Sequence, residues 1–298
     1  MRLGMSTSCV HPLPLDDAFR LAKLAGFSGM EIMVTRSRAT QDAASILASA
    51  ARYDLPVFSI HAPVLVGTQL VFGASPAAKL ARSARLAADV GATTVVVHPP
   101  YRWESRYAGE FAATVGEVAS RFGVQVAVEN MFELRARGRR VSTYAPGVEP
   151  LGLDVDAFTL DISHAAANGT NALELAERMG DRLRHVHLCD SRNADAATRV
   201  ADEHLVPGRG SQPVAELLGR LADRRWGGTL IAEVSTRHAA DAGDRLAMLA
   251  ETVRFTRMHE RAAVGATPLP FRNPAVTFRN EGDSGAAARG HAHPRGSA

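Results

Sequence analysis

Short apolar, β-branched runs recur along this chain, and seven of them close on a carboxylate or an imidazole: Glu31, His61, His98, Glu129, Asp161, His187 and Glu233. Successive closings are 30, 37, 31, 32, 26 and 46 residues apart. Each interval has room for one helix and one returning strand, and stretches such as "PAAKLARSARLAADVG" show apolar residues at helical spacing. The runs are continuous rather than alternating, as strands are when both faces are buried. With the opening run "RLGMST" they make eight strands. Eight βα units predict an α/β fold, a closed (β/α)8 TIM barrel. A doubly wound open sheet is the competing arrangement, but "GMSTSC" after the first run lacks the glycine-rich phosphate turn such sheets usually carry.

The barrel is expected over residues 1–264. From 265 the chain is rich in Gly, Pro and Ala without an apolar period, which predicts a flexible tail over 265–298. That tail holds four Arg against Glu281 and Asp283, so the net charge of +3 leaves the body near +1. A body so close to neutral argues against a surface built to grip nucleic acid. The two cysteines, Cys9 and Cys189, form no CxxC motif. They suit a reducing cytoplasm and structural roles. The N-terminus shows no signal-peptide pattern and no run approaches 18 apolar residues, so no membrane partner is expected.

In a barrel of this kind, side chains at the C-terminal strand ends share one mouth. His61, His98, Glu129, Asp161, His164, His187 and Glu233 are therefore expected to converge there. Asp202 and His204, in the loop after the seventh strand, join them. A single strand-end His is usually a hydrogen-bonded core residue. Nine imidazoles and carboxylates at the same relative place need another reason. Imidazole and carboxylate without thiolate suit a divalent cation such as Zn, Mn, Co or Mg, and the cation also removes the repulsion among the carboxylates.

This pattern, with "DISH" at 161–164 and "DEHLVPGRG" at 202–210, resembles the xylose isomerase-like barrel superfamily, which includes D-tagatose 3-epimerase and endonuclease IV. The resemblance covers about residues 1 to 260. It implies a single-metal site of Glu129, Asp161, His187 and Glu233, with Glu129 and Glu233 exchanging protons with the substrate and His164 touching it. The endonuclease IV branch implies two further ions. One would be held by His61 and His98 with Glu129 bridging, the other by His164, Asp202 and His204. One to three ions are thus expected. The turn departs from the family pattern, with Arg209 where a carboxylate is common.

Four other features bear on the substrate. Arg36 and Arg38 follow the second strand. "YRWESRY" offers Trp103 between two tyrosines for stacking. "ELRARGRR" carries Arg135, Arg137, Arg139 and Arg140 near Glu129. Arg192 and Arg209 are candidate anion contacts, since a guanidinium matches carboxylate and phosphate geometry. Asp190 and His185 are read as supporting neighbours, with His185 expected to point away from the lumen. The resemblance together with the near-neutral body implies a metal-dependent isomerase or epimerase of a sugar or sugar phosphate. It would work by proton transfer through a cis-enediolate stabilised by the metal. The alternative is a zinc-dependent phosphodiester hydrolase of the endonuclease IV kind, the one case in which DNA is a partner. A barrel that binds without catalysis is a third reading, disfavoured because no ligand type is missing. Homo-oligomerisation is left open.

Overall fold

The computed structural model of the chain describes residues 1–63, 68, 70–136, 139–192 and 202–260. The barrel begins with β1 (Arg2–Ser6), β2 (Gly29–Met33), β3 (Val57–His61), β4 (Thr94–Val97) and β5 (Gln125–Glu129). A small antiparallel hairpin follows, β6 (Leu134–Ala136) and β7 (Arg139–Val141). The ring is then completed by β8 (Phe158–Asp161), β9 (Leu183–Leu188) and β10 (Thr229–Ala232). Eight parallel strands close in the order β1-β10-β9-β8-β5-β4-β3-β2, the expected (β/α)8 barrel.

The surrounding helices are α1 (Leu15–Ala25), α2 (Ala43–Tyr53), α3 (Pro76–Val90), α4 (Ser105–Phe122), α5 (Ile162–Asn168), α6 (Ala172–Met179), α7 (Val214–Asp223) and α8 (Ala242–His259). Side chains start several of them. Asp42, Ser75, Asn171 and Asp241 each accept a hydrogen bond from a backbone N–H of the first turn, satisfying donors that a helix leaves open. One large apolar core lies between helices and strands, with Phe19, Ile46, Phe111, Phe158 and Leu175 fully buried. None of the described helices is long and apolar enough to cross a membrane.

Two elements differ from the sequence expectation. The apolar run 158–165 is not one strand. Asp161 ends β8 and its Oδ1 accepts from the His164 N–H at 2.8 Å, so a helix starts at once. The segment after β5, expected as a loop, contains the β6–β7 hairpin. The tail from 265, Arg137, and the stretch 193–201 between Arg192 and Asp202 lie outside the described residues.

The lower end of the barrel is closed by one aromatic ring. A Cβ placed on Gly29 would meet Phe58 ring atoms at 2.4 to 2.6 Å, and one on Gly4 would meet Ile231 Cδ1 at 2.7 Å. Arg2 covers Phe58, its guanidinium carbon 5.0 Å from the ring centroid. Gly29→Ala should therefore cost about 1–3 kcal/mol through overpacking. Combined with Phe58→Leu, which makes room, its loss in denaturant-melting experiments should be smaller than the sum of the two single losses. Additive losses would show that the ring does not set the fit.

Candidate metal and active site

The strands end on the side chains that matter. β5 delivers Glu129 and β8 delivers Asp161, which is in register with His187 on β9. Glu233 follows β10 directly. One ligand atom from each of Glu129, Asp161, His187 and Glu233 lies within 4.8 Å of all the others. His187 Nδ1 is 2.8 Å from Glu129 Oε1, 2.8 Å from Glu233 Oε2 and 3.5 Å from Asp161 Oδ2. Among the described residues four further groups are as close, His61–His98–Glu129, His164–Asp202–His204, Glu31–His185–His187 and Asp161–Cys189–His204. All nine side chains singled out from the sequence thus stand together at one end of the barrel.

The imidazoles are held by their second nitrogens. His61 Nδ1 is 3.0 Å from the Ala62 carbonyl, His164 Nδ1 2.8 Å from that of Asn130, and His204 Nδ1 2.6 Å from that of Glu233. In each case Nε2 turns toward a carboxylate: Glu129 for His61 at 3.3 Å, Asp202 for His164 at 3.7 Å and for His204 at 2.9 Å. A histidine with one nitrogen on a carbonyl and the other facing anionic oxygens has the arrangement of a metal ligand. His98 Nε2 reaches Glu129 Oε2 at 3.1 Å while its Nδ1 has no partner.

The carboxylates are short of donors. Asp161 Oδ2 and Glu129 Oε2 are buried without a well-aligned hydrogen bond, although two imidazoles approach Glu129. Buried polar atoms left so are costly. Oxygen and nitrogen donors with unspent lone pairs and no thiolate among the four fit a divalent cation. Within the cluster the charges answer one another. Burial disfavours the ionised carboxylates, yet the His187 imidazole and its neighbours hold Glu129 well below the usual range and Glu233 down to about 2. Burial likewise disfavours the imidazoliums, but carboxylates outweigh it. His61 rises to about 8 beside Glu129, and His164 to about 10 beside Asp161 and Asp202. His98 moves down, because burial there exceeds the pull of Glu129.

The loop carrying Asp202 and His204 is set by Asp190. Its Oδ2 accepts from the N–H groups of Gly208 and Gly210 at 2.9 and 3.0 Å, and its Oδ1 from Gln212 N at 3.1 Å. A Cβ on Gly210 would fall 2.2 Å from Asp190 Oδ1, so the turn requires glycine there. Ser163 Oγ donates to Asp202 Oδ1 at 2.7 Å and accepts from His204 N at 3.2 Å, tying the loop to α5.

His185 corrects the sequence reading. It was expected to face away from the lumen, but residues two apart in a strand share a face. His185 is fully buried inside the barrel beside His187, with Nε2 3.0 Å from Glu31 Oε2.

Above this cluster opens a cavity of about 860 Å³, the size of a small-molecule site. Its floor includes His61, His98, Glu129, His164, Asp202, His204 and Glu233. Asp161 and His187 lie fully buried. Arg36, Arg237 and His11 line the cavity along with Leu13 and Met33. Arg192, Arg209 and Trp103 are not among its lining residues. Arg192 pairs with Glu203 at 3.0 Å, and Arg209 donates from Nε to Glu251 on α8 at 3.0 Å. Trp103 is 65% exposed, stacks on Tyr101 with centroids 4.4 Å apart, and borders a second cavity of about 270 Å³ that shares His98. Arg135, Arg139 and Arg140 lie in the β6–β7 hairpin. Cys9 and Cys189 are buried and form no disulfide with each other.

Sequence reasoning missed Ser8, whose Oγ–H donates to Glu233 Oε1 at 2.9 Å, and Arg237. Both follow a strand end, the same positional signal that marked the candidate site residues. A serine suggests little chemistry by itself, and Arg237 lies beyond the closing residue of its strand.

The model of the xylose isomerase-like TIM barrel family matches residues 19–258. An uncharacterized protein of Mycobacterium tuberculosis (strain ATCC 25618 / H37Rv) is 42% identical over 278 residues, spanning 87% of this chain and 98% of its own. Fructoselysine 3-epimerase of Escherichia coli O157:H7 is 25% identical over 260 residues, 80% of this chain and 92% of that protein. Among solved structures, the IOLI protein with a binding zinc atom superposes with a TM-score of 0.65 at 16% identity. That alignment covers 87% of this chain and 99% of that one, a likeness of fold.

In chelator-treated protein the raised imidazole pKa values predict a loss of stability toward alkaline pH. The contributions of His61 and His164 are complete below their ordinary 6.5 and disappear as pH rises through about 8 and about 10. The melting temperature should fall over that window. A flat profile would show that these imidazoles are not charged in the metal-free mouth.

Proposed function

The chain belongs to the xylose isomerase-like TIM-barrel family, and on that footing we propose that it is a divalent-cation-dependent isomerase or epimerase of a small sugar or sugar phosphate. The observation that carries the reading is the convergence of Glu129, Asp161, His187 and Glu233 at the base of a small-molecule-sized cavity. The epimerase among the relatives and the zinc in the solved neighbour support it.

A bound Zn, Mn, Co or Mg ion would supply Lewis acidity toward a substrate carbonyl and its neighbouring hydroxyl. Asp161 and His187, both buried, would hold that ion. Glu129 and Glu233 come from strands separated by β8 and β9, so their carboxylates approach from two directions. One takes the proton from the carbon beside the carbonyl and the other returns a proton, on the opposite face or on the next carbon. The hydroxyl of Ser8 steadies Glu233 from the wall. His164 on the cavity floor is the substrate contact we retain from the sequence. Arg36 and Arg237, which line the cavity, take the anion-contacting role first given to Arg192 and Arg209, whose guanidiniums are engaged by Glu203 and Glu251. Two buried thiols without a disulfide fit the reducing cytoplasm expected from the sequence.

One observation favours a second reading. Three of the groups, two of which share Glu129, together involve all nine side chains, more than a one-ion site needs. A phosphodiester hydrolase with three ions would use them all. Replacing both Asp202 and His204 by Ala separates the readings. Under the first, the variant retains one tightly held ion by elemental analysis and retains proton exchange. Under the second, the wild type nicks duplex DNA bearing an abasic site and the variant does not.

The first reading is tested in heavy water with a panel of ketoses and their phosphates and added Mn or Zn. Deuterium should enter the carbon that loses its proton, read by mass spectrometry. Glu233→Gln should melt like the wild type and slow that exchange by about 10² or more. No incorporation from any ketose, together with incision of abasic DNA, would reverse the order.

A further inference from the structure

His187 is held differently from three other imidazoles in the mouth. His61, His164 and His204 each place one nitrogen on a backbone carbonyl. His187 has no such carbonyl. Its Nδ1 faces Glu129 and Glu233 at 2.8 Å each, and its Nε2 points down into the barrel. There it lies 3.3 Å from Glu31 Oε1. Both atoms are buried and neither has a well-aligned hydrogen bond, so each is the other's nearest polar partner across this ion-pair distance.

Glu31 is held for this contact from the other side. Its Oε2 accepts from Ser59 Oγ–H at 2.8 Å and lies 3.0 Å from His185 Nε2. Glu31, His185 and His187 are each fully buried. His185, two residues before His187 on the same strand face, therefore fixes one carboxylate oxygen while the other is left for His187.

An imidazole that offers Nδ1 to a cation must carry its proton on Nε2. We infer that Glu31 is a positioning residue: it takes the Nε2–H of His187 and so holds the Nδ1 lone pair toward the mouth. The buried carboxylate also makes that lone pair a stronger donor, as an acidic partner does behind a ligating histidine. Ser59 and His185 keep Glu31 from rotating away. This rests on the reading of His187 as a cation ligand.

The experiment measures Zn²⁺ affinity of the full chain by competition with a chromophoric chelator, beside thermal melting. Wild type should bind, and His187→Ala should lose the tight site. Glu31→Gln should weaken binding about 10- to 100-fold, because the amide can donate to Nε2 and favour the tautomer with its proton on Nδ1. Glu31→Gln binding as tightly as the wild type, while His187→Ala does not, overturns the positioning role and leaves the ligand reading intact. Equal binding by His187→Ala overturns the ligand reading and this inference with it. If Glu31→Gln does not fold, zinc-loaded wild type labelled with ¹⁵N decides. A slowly exchanging ring N–H on His187 Nε2 is expected. A proton on Nδ1, or a fast-exchanging Nε2–H, overturns the role.

Discussion

Glu129 is the point on which the mouth of this barrel turns. Its carboxylate is almost wholly buried, and His61, His98 and His187 all lie within 3.3 Å of it. Burial alone would drive a proton onto it. The surrounding imidazoles hold it ionised instead, at the cost of raising several of their own pKa values. Such a cluster holds a balance of protons that a divalent cation can displace, because each ligand must be free of its proton to bind. Oxygens of Asp161 and Glu129 are left there without aligned donors, as the proposed cation site requires.

What keeps these groups in place is short-range and backbone-directed. Asn130 exchanges two hydrogen bonds with the backbone of Asp161, joining the ends of β5 and β8. Asp161 in turn starts α5 and so carries His164 into the mouth. Asp190 gathers the N–H groups of the turn after His204. Each link fixes a side chain of the mouth through a main-chain group whose position the fold already dictates. These side chains therefore stand in place on rigid elements, which is the condition for a site of defined geometry.

The barrel and the nine converging side chains were legible because strand-end position and residue type are both local properties of a sequence. Features that depend on a side chain's final partner were not. Arg209 follows a family motif in the right loop, but its guanidinium finds Glu251 on α8. Arg192 meets Glu203, eleven residues away. A local pattern cannot report an ion pair across forty residues. The 158–165 run reads as one strand because its apolar residues are continuous. Only the hydrogen bond from the His164 N–H to Asp161 shows that a helix takes over. His185 departs from expectation for a different reason: the two-residue period of a strand puts it on the same face as His187.

Beneath the mouth residues the barrel interior is partly polar, where branched apolar layers usually fill such a barrel. Ser6, Glu31, Ser59, Thr159 and His185 are all fully buried there. Phe58 closes the space below them against Gly4 and Gly29. A buried charged layer is a poor source of stability, since desolvation offsets most of what its contacts return. The stabilising burial lies outside the ring, where the helices pack Phe19, Ile46, Phe111 and Leu175 against the strands. The molecule thus separates its tasks by radius. The outer shell holds the fold, which leaves the lumen able to keep carboxylates and imidazoles in an arrangement that an apolar filling would stabilise more but that could not hold a cation.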